Sequence, residues 1–160
     1  MANYVREDFE FLKVMRFSIS EIECAIAIME VREVIPPPDI RHIPKAPGFV
    51  EGVFSLRGEI IPVVDLRKLF GVEPKSADFK VILRQIKEVT IGYMVDQVNN
   101  VMQVERSQIK PPPPVIIKGL DKGCLYGLFD YNDENIILMD LSKAMAPGEV
   151  AQIGNLLKQL

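Results

Sequence analysis

The sequence contains few of the residues that carry out catalysis or hold metals. Histidine occurs once, at His42 in a proline-flanked stretch, and cysteine occurs only at Cys24 and Cys124. With one histidine, and no Cys-His pair close in sequence, the chain shows neither a catalytic triad nor a zinc site. Two cysteines among strand-like neighbours are typical of small buried apolar side chains. We therefore predict no catalytic residues, no bound metal and no enzyme activity.

Clustered basic residues, long apolar runs and phosphate-binding glycine loops are also missing. The formal net charge is −3, and without a Lys/Arg cluster we do not expect nucleic-acid binding, because phosphate neutralisation supplies much of that affinity. No apolar run approaches the roughly 20 residues that span a bilayer, and the N-terminus carries charges where a signal peptide has its apolar core. The scattered glycines form no nucleotide-binding motif. We expect a cytoplasmic protein without a cofactor.

What the sequence does contain is an internal repeat. Residues 52–70 align without a gap on residues 127–145, and seven of the nineteen positions are identical. A second match lies upstream, where residues 28–34 align on residues 95–101, and each upstream match is followed by a run of prolines. Two long copies of this kind indicate a duplicated β-module rather than a solenoid.

The repeated stretch predicts a β-hairpin. Strands are expected at 53–56 and 60–66, with Arg57-Gly58 as the turn, because the second strand is rich in β-branched residues and Gly58 tolerates a positive φ. Pro62 cannot donate a hydrogen bond to a neighbouring strand, so we expect its strand to lie at a sheet edge or to carry a bulge. Further strands are predicted at 14–19, 24–31, 79–86 and 89–95, with a bulge or turn at Asn99-Asn100.

These patterns divide the chain into three parts. Residues 1–13 are predicted to be a loosely ordered lead-in, and residues 14–145 hold the two copies, joined by a polar connector near 72–78 that is the expected hinge. From 146 to 160 the pattern changes to an amphipathic helix. We favour packing of its apolar stripe on the β-modules over a partner or membrane-surface role. The stripe consists of Val150, Ile153, Leu156, Leu157 and Leu160.

Two further features have simple structural explanations. Asp65 and Asp140 are equivalent in the repeat, so each is predicted to accept hydrogen bonds at a strand end or helix start in its own copy, rather than to form an acid–base pair. The four prolines at 111–114 are compatible with a polyproline ligand for an aromatic groove. We favour a stiff loop, because prolines restrain the chain.

Glu33 and Arg57 break the repeat at matching places. Glu33 aligns with Asn100, and Arg57 aligns with Asn132, so both charges occur in the first copy only. When two modules share a scaffold, charges added to one of them are candidate recognition residues. The alternative is that both are solvated surface charges of little energetic consequence, and the residues alone leave the two interpretations open.

The order and spacing of several motifs resemble those of the CheW family, the coupling proteins of bacterial chemotaxis. The first half carries V-R-E-V-I at 31–35, P-x-A-P-x-F-V-x-G-V at 44–53, L-R-G at 56–58 and I-P-V-V-D-L-R at 61–67. The second half carries G-Y-M-V-D-Q-V at 92–98 and I-I-L-M-D-L at 136–141. Ser55 stands where the family usually has asparagine, which leaves the Arg-Gly turn intact. The resemblance covers residues 14–145.

The resemblance implies an all-β fold of two intertwined five-stranded barrels of the Src-homology-3 type, with short helical turns and the C-terminal helix. It also implies a non-catalytic adaptor that couples the cytoplasmic tips of chemoreceptors to the regulatory domain of a CheA-type histidine kinase. The protein would then join membrane-bound receptor arrays through its partners, with no cofactor, and self-association in rings is left open. The family's binding positions match Val31, Glu33, Gly52, Arg57, Val98 and Val101, without a division between receptor and kinase.

Two alternatives remain at this point. The chain is also compatible with an adaptor of a different chemosensory pathway, with pilus motility or a second messenger as the output. A small-barrel module that binds a ligand or acts as an enzyme is the alternative from another class; it would show an apolar pocket beside a perturbed carboxylate.

Overall fold

The computed structural model describes residues 10–112 and 123–160, which form ten strands and two α-helices. The strands of the first copy are β1 Phe11–Ile19, β2 Ile22–Ala27, β3 Glu33–Ile35, β4 Val50–Leu56 and β5 Glu59–Asp65. Those of the second are β6 Lys80–Ile86, β7 Val89–Val95, β8 Gln97–Glu105, β9 Leu125–Tyr131 and β10 Glu134–Met139. The helices are α1 Leu66–Leu69 and α2 Pro147–Lys158, and short 3-10 turns lie at Ile28–Glu30, Arg106–Gln108 and Leu141–Lys143.

The two copies exchange strands. One sheet has the order β8-β1-β2-β10-β9 and is called sheet A, and the other has the order β3-β6-β7-β5-β4 and is called sheet B. Each sheet therefore inserts the first two strands of one copy between strands of the other, and the two orders are related by a shift of five strands. The prediction of an all-β fold built from two intertwined five-stranded units is confirmed.

Three apolar clusters fill the molecule, and alternation along the strands assigns side chains to them. In β1, Leu12 and Val14 face the interior of sheet A, whereas Met15 and Phe17 face a central cluster between the sheets. In β5, Ile61 faces the interior of sheet B. The central cluster is the largest of the three, and it includes the buried thiol of Cys24 and residues of α2. Because both copies contribute to this shared core, neither barrel is an independent unit.

A backbone bridge brings the two edges of each sheet together. Arg41, in the segment after β3, exchanges hydrogen bonds with Val53 of β4 at 2.8 and 2.9 Å. Lys110, in the segment after β8, does the same with Leu128 of β9 at 2.7 and 2.9 Å. In each copy the segment after the third strand thus bonds to the fourth strand, and this bridge covers part of the sheet edge.

The repeated stretches form the expected hairpins. In the first, Arg57 and Gly58 have φ angles of 48° and 82°, and in the second, Asn132 and Asp133 have φ angles of 49° and 64°. Positive φ at both central residues is the type I′ geometry, whose twist suits two antiparallel strands. Arg57 adopts this conformation without being glycine, asparagine or aspartate, and it places its side chain at the tip of the hairpin.

The local predictions have mixed outcomes. The bulge at Asn99-Asn100 is confirmed, because these two residues of β8 lie opposite Arg16 alone in β1. The edge-strand prediction for Pro62 is wrong, since β5 lies between β4 and β7. Pro62 is accommodated because its partner Val53 bonds to Arg41 instead, and because the pairing with β7 begins only at Val63. A bulge lies nearby, but in β4.

Several predicted boundaries shift. Strand β1 starts at Phe11, inside the predicted lead-in, because its pairing with β8 extends to Glu105. Strand β2 ends at Ala27, where a 3-10 turn carries the chain out of sheet A. The connector near 72–78 joins the copies in sequence, but both of its neighbouring strands belong to sheet B, and its role as a hinge stays a prediction. Residues 1–9 of the lead-in, and Pro113 and Pro114 of the proline run, lie outside the described residues.

Helix α2 packs on the barrels. Ile153 and Leu156 are buried in the central cluster, and Val150 and Leu157 pack against it, so the predicted stripe is confirmed at these four positions. Leu160 departs from it: its side chain is 52% exposed. Among the residues that the structure describes, none of the helices has the length and apolar character to cross a bilayer.

Candidate functional site

Glu33 and Arg57, the two charges that break the repeat, form an ion pair in the folded protein. Glu33 begins β3, one edge of sheet B, and Arg57 lies at the tip of the hairpin that forms the other edge. The Arg57 side chain is 65% exposed and that of Glu33 is 32% exposed. The pair joins the two edges of sheet B and leaves most of the Arg57 side chain exposed.

A second ion pair runs beside the first. The Nη1 atom of Arg32 lies 3.1 Å from Oε1 of Glu59 and donates a hydrogen bond to Oγ1 of Thr90 at 2.7 Å. Sequence reasoning did not single out Arg32 or Glu59. The repeat held the signal, because Arg32 aligns with Asn99 just as Glu33 aligns with Asn100. We call Arg32, Glu33, Arg57 and Glu59 the charged rim of sheet B.

An apolar groove lies beside this rim. It has a volume of about 490 Å³ and includes residues of both hairpin strands. Ile60, next to Glu59 in β5, is 44% exposed, and Leu160 at the end of α2 faces the same groove. The other side chains that line it include Arg41, Ile43, Val53 and Phe54. An exposed apolar surface bordered by charges is typical of a protein-binding site.

Val31 and Val98 occupy equivalent positions of the repeat, one at each place where the chain passes between the sheets. Both are half-buried and pack against the central cluster. Val101 lies further along β8 and is 48% exposed. The structure therefore brings Glu33 and Arg57 into contact, places Val31 two residues before Glu33, and puts Val98 and Val101 on sheet A.

Gly52 has a structural reason to be glycine. A Cβ atom at this position would lie 2.3 Å from the carbonyl oxygen of Arg41, the residue that closes barrel B. Gly127, its equivalent, has the same relation to Lys110 at 2.7 Å. Close approach of the closing segment explains both glycines, and the role of Gly52 in binding stays a prediction.

The predicted roles of Asp65 and Asp140 are confirmed. Asp65 caps α1 by accepting a hydrogen bond from the backbone N–H of Arg67 at 2.9 Å, and Asp140 caps the turn Leu141–Lys143 by accepting from the N–H of Ser142 at 3.1 Å. Each carboxylate also faces an arginine, Arg67 in the first case and Arg84 in the second. Two buried charged clusters thus lie between the sheets, each next to one chain crossing.

The cluster around Arg67 is fully paired. Its guanidinium donates to both oxygens of Asp65, at 2.9 and 3.2 Å, and to Oδ2 of Asp96 at 3.5 Å. Asp96 also accepts hydrogen bonds from the N–H groups of Ser20 at 2.7 Å and of Lys75 at 3.0 Å. Burial lowers the pKa of Arg67, but the hydrogen bonds and charges of Asp65 and Asp96 raise it overall. This cluster joins the crossing at Asp96 to the β1–β2 turn and to the connector.

A family model for the CheW-like domain matches residues 13–148. The chain belongs to the CheW-like domain family. The chemotaxis protein CheW of Klebsiella aerogenes is 31% identical over 144 residues, which cover 89% of this chain and 86% of that protein. The chemotaxis protein CheW of Treponema pallidum is 29% identical over 153 residues, which cover 92% of this chain and 89% of that protein.

A solved structure agrees with this assignment. The crystal structure of the scaffolding protein TtCheW from Thermoanaerobacter tengcongensis matches with a TM-score of 0.72 and 37% sequence identity, over 81% of this chain and 88% of that chain. The CheW-like match contains the charged rim, both buried clusters and all six predicted binding residues, whereas most of α2 follows it. Within residues 10–112 and 123–160, no group of three or more potential metal ligands is found.

Proposed function

We propose that this chain is a non-catalytic chemotaxis adaptor that couples chemoreceptor tips to the regulatory domain of a CheA-type histidine kinase. The observation that carries the proposal is the charged rim, because three of its four charges have asparagine at the equivalent places of the other copy. The fourth, Glu59, directly precedes Ile60 of the apolar groove. The relatives of this chain reported above are named as chemotaxis proteins, and the similar solved structure is that of a scaffolding protein. In such a complex the protein works at the cytoplasmic face of the membrane through its partners.

The rim and the groove have different physical roles in this proposal. Burial of Ile60 and its neighbours provides affinity, at roughly 25 cal/mol per Å² of apolar surface. Arg57 and Glu33 fix the orientation of the partner and reject partners with the wrong charges. Modest affinity at each contact suffices, because an array links many contacts and raises their effective concentration. Val31, Val98 and Val101 are further proposed contact residues, the last two on sheet A, and Gly52 is proposed to act from a buried position in β4.

The test is calorimetric titration of this chain with the regulatory domain of a CheA-type kinase from the same organism. We expect saturable one-to-one binding that Arg57→Glu weakens by about tenfold or more, as for a central charged contact. Asn132→Glu is the matched control, because it places the same charge at the equivalent turn of the other barrel. It should bind like the parent protein.

A charge swap distinguishes contact of these two charges with the partner from their pairing with each other. The double variant Glu33→Arg with Arg57→Glu keeps an ion pair across the barrel but reverses both charges. If the charges contact the partner, the swap stays defective. Recovery of binding by the swap would show that the pair acts only within this chain. Absence of binding by the parent protein to both kinase domain and receptor tip would contradict the adaptor function.

A further inference from the structure

The second buried cluster lies where the chain first passes between the sheets. Glu30 ends the turn Ile28–Glu30, and its side chain is only 1% exposed. Arg84 of β6 donates a hydrogen bond from Nη2 to Oε1 of Glu30 at 2.8 Å, and the same Nη2 lies 3.8 Å from Oδ1 of Asp140. One arginine of sheet B therefore faces two carboxylates that follow β2 and β10, neighbouring strands of sheet A.

This cluster leaves buried polar atoms without partners. Oε2 of Glu30, Oδ2 of Asp140 and Nε of Arg84 have no hydrogen-bond partner among the residues that the structure describes. Buried polar atoms are normally paired, because an unpaired one loses its hydration without compensation. Two ionised carboxylates cannot bond to each other, since each only accepts, but a single proton lets one donate to the other.

Among the residues that the structure describes, the surroundings of Glu30 supply no other charge that could take the place of this proton. Arg84 and Asp140 are the charged groups that face it from β6 and from the turn Leu141–Lys143. The hydroxyl of Tyr93 in β7 is committed to the carbonyl oxygen of Leu141, at 3.1 Å. Strand β1 also packs against the Ile28–Glu30 turn, but its Arg16 pairs with Glu23 and Glu134, and its Lys13 is exposed.

We propose that Glu30, Asp140 and Arg84 form a proton-binding site, in which one proton is shared between the two carboxyl groups, and that loss of this proton loosens the crossing segment 28–32. In agreement with this geometry, burial, opposed by Arg84 and assisted by Asp140, raises the pKa of Glu30 to about 7. The site therefore changes its protonation close to neutral pH.

The crossing segment connects this site to the proposed binding surface. The N–H of Val31 donates a hydrogen bond to the carbonyl oxygen of Ile28 at 3.1 Å. The N–H of Arg32 donates to the carbonyl oxygen of Leu83 at 2.8 Å, and Leu83 is the residue before Arg84 in β6. When Glu30 loses its proton, two negative charges face one arginine and the buried group carries a net negative charge, which is costly. This electrostatic cost destabilises the segment 28–32, which positions Val31, Arg32 and Glu33.

The first measurement is an NMR titration of the Glu30 side-chain carboxyl carbon in the full chain, from about pH 3 to about pH 9. The signal is assigned through bonds and checked by its disappearance in Glu30→Gln. A midpoint close to 7 is expected. A midpoint in the ordinary glutamate range, about 4 to 5, would overturn the proton site, and the measurement needs no partner.

The second measurement is amide hydrogen exchange of Arg32 over the same range, corrected for the intrinsic pH dependence of exchange. We expect its protection to fall by roughly tenfold as pH rises through neutrality, and to stay constant in Glu30→Gln. The N–H of Ser20 is the internal control, because it bonds to Asp96 in the other cluster, at 2.7 Å. An equal change at Arg32 and Ser20, or an unchanged pH profile in Glu30→Gln, would overturn the link between proton and segment.

Discussion

The two copies of the repeated unit place an arginine between two carboxylates at each junction of the sheets, but the two clusters are built differently. Arg67 follows β5 and donates hydrogen bonds to Asp65 and Asp96. Asp96 also accepts hydrogen bonds from two backbone N–H groups. Arg84 comes from the middle of β6, and its cluster leaves three buried atoms unpaired. Duplication preserved the location of the charge cluster, whereas divergence decided whether the cluster is complete.

Removal of each arginine should give the largest and the most unequal effects. Arg67→Met leaves Asp65 and Asp96 facing each other in a buried site, and we expect a loss of about 3–5 kcal/mol in the free energy of unfolding at neutral pH. Arg84→Met should cost less, about 1–3 kcal/mol, because Glu30 can stay protonated and bond to Asp140.

Urea unfolding of both variants at about pH 5.5 and about pH 8 measures the difference. The cost of Arg84→Met should grow with pH, because a deprotonated Glu30 then lacks its cation. Equal costs for the two variants at both pH values would show that the two clusters are energetically alike.

The two closing glycines test whether the barrels are equally tight. Alanine at Gly52 would place its Cβ 2.3 Å from the Arg41 oxygen, and alanine at Gly127 would place it 2.7 Å from that of Lys110. Both substitutions must shift backbone, so we expect losses of about 2–4 kcal/mol, with Gly52→Ala the more severe. Gly148→Ala is the control, since a Cβ there meets nothing within 4 Å. Thermal unfolding that ranks Gly127→Ala as the more severe would contradict the comparison.

The pH dependence of stability distinguishes the incomplete cluster. The native state holds a proton on Glu30 up to about pH 7, whereas the unfolded chain releases it near the ordinary glutamate pKa. This contribution is complete below about pH 4 and is lost as pH rises through neutrality, because the native state binds the extra proton.

Glu30→Gln should remove this fall, which we expect to amount to roughly 1–3 kcal/mol, because one unit of pKa shift corresponds to about 1.4 kcal/mol. Chemical unfolding at several pH values measures it. A parent protein whose stability rises across this window by the same amount as that of Glu30→Gln would contradict the expectation.

The smallest effect on stability is expected at the hairpin tips. Arg57→Glu and Asn132→Glu change exposed turn residues, so each should alter the free energy of unfolding by no more than about 0.5–1 kcal/mol. Only Arg57→Glu should impair binding. A large loss of stability in this variant would mean that the pair with Glu33 holds the barrel closed, and the binding defect would then have to be measured with the charge swap.

The local structure and the duplication follow from the amino-acid sequence alone. The hairpins at 53–66, the bulge at Asn99-Asn100, the capping aspartates and the helix after residue 146 all follow from short-range patterns, because turn residues, strand alternation and helical periodicity act over a few positions. The repeat also singled out Glu33 and Arg57, and the family resemblance supplied the intertwined barrels.

Which long-range partners meet depends on how the strands assemble in the folded protein. Strand exchange puts Arg84 of the second copy against Glu30 of the first, separated by 54 residues, and Arg32 against Glu59 across the closed barrel. It also made Pro62 an interior-strand residue and Gly52 a point of backbone contact. A sequence pattern records the face on which a residue lies, but not the strand that will pack against it. Burial then decides whether a charge is solvated, paired or protonated.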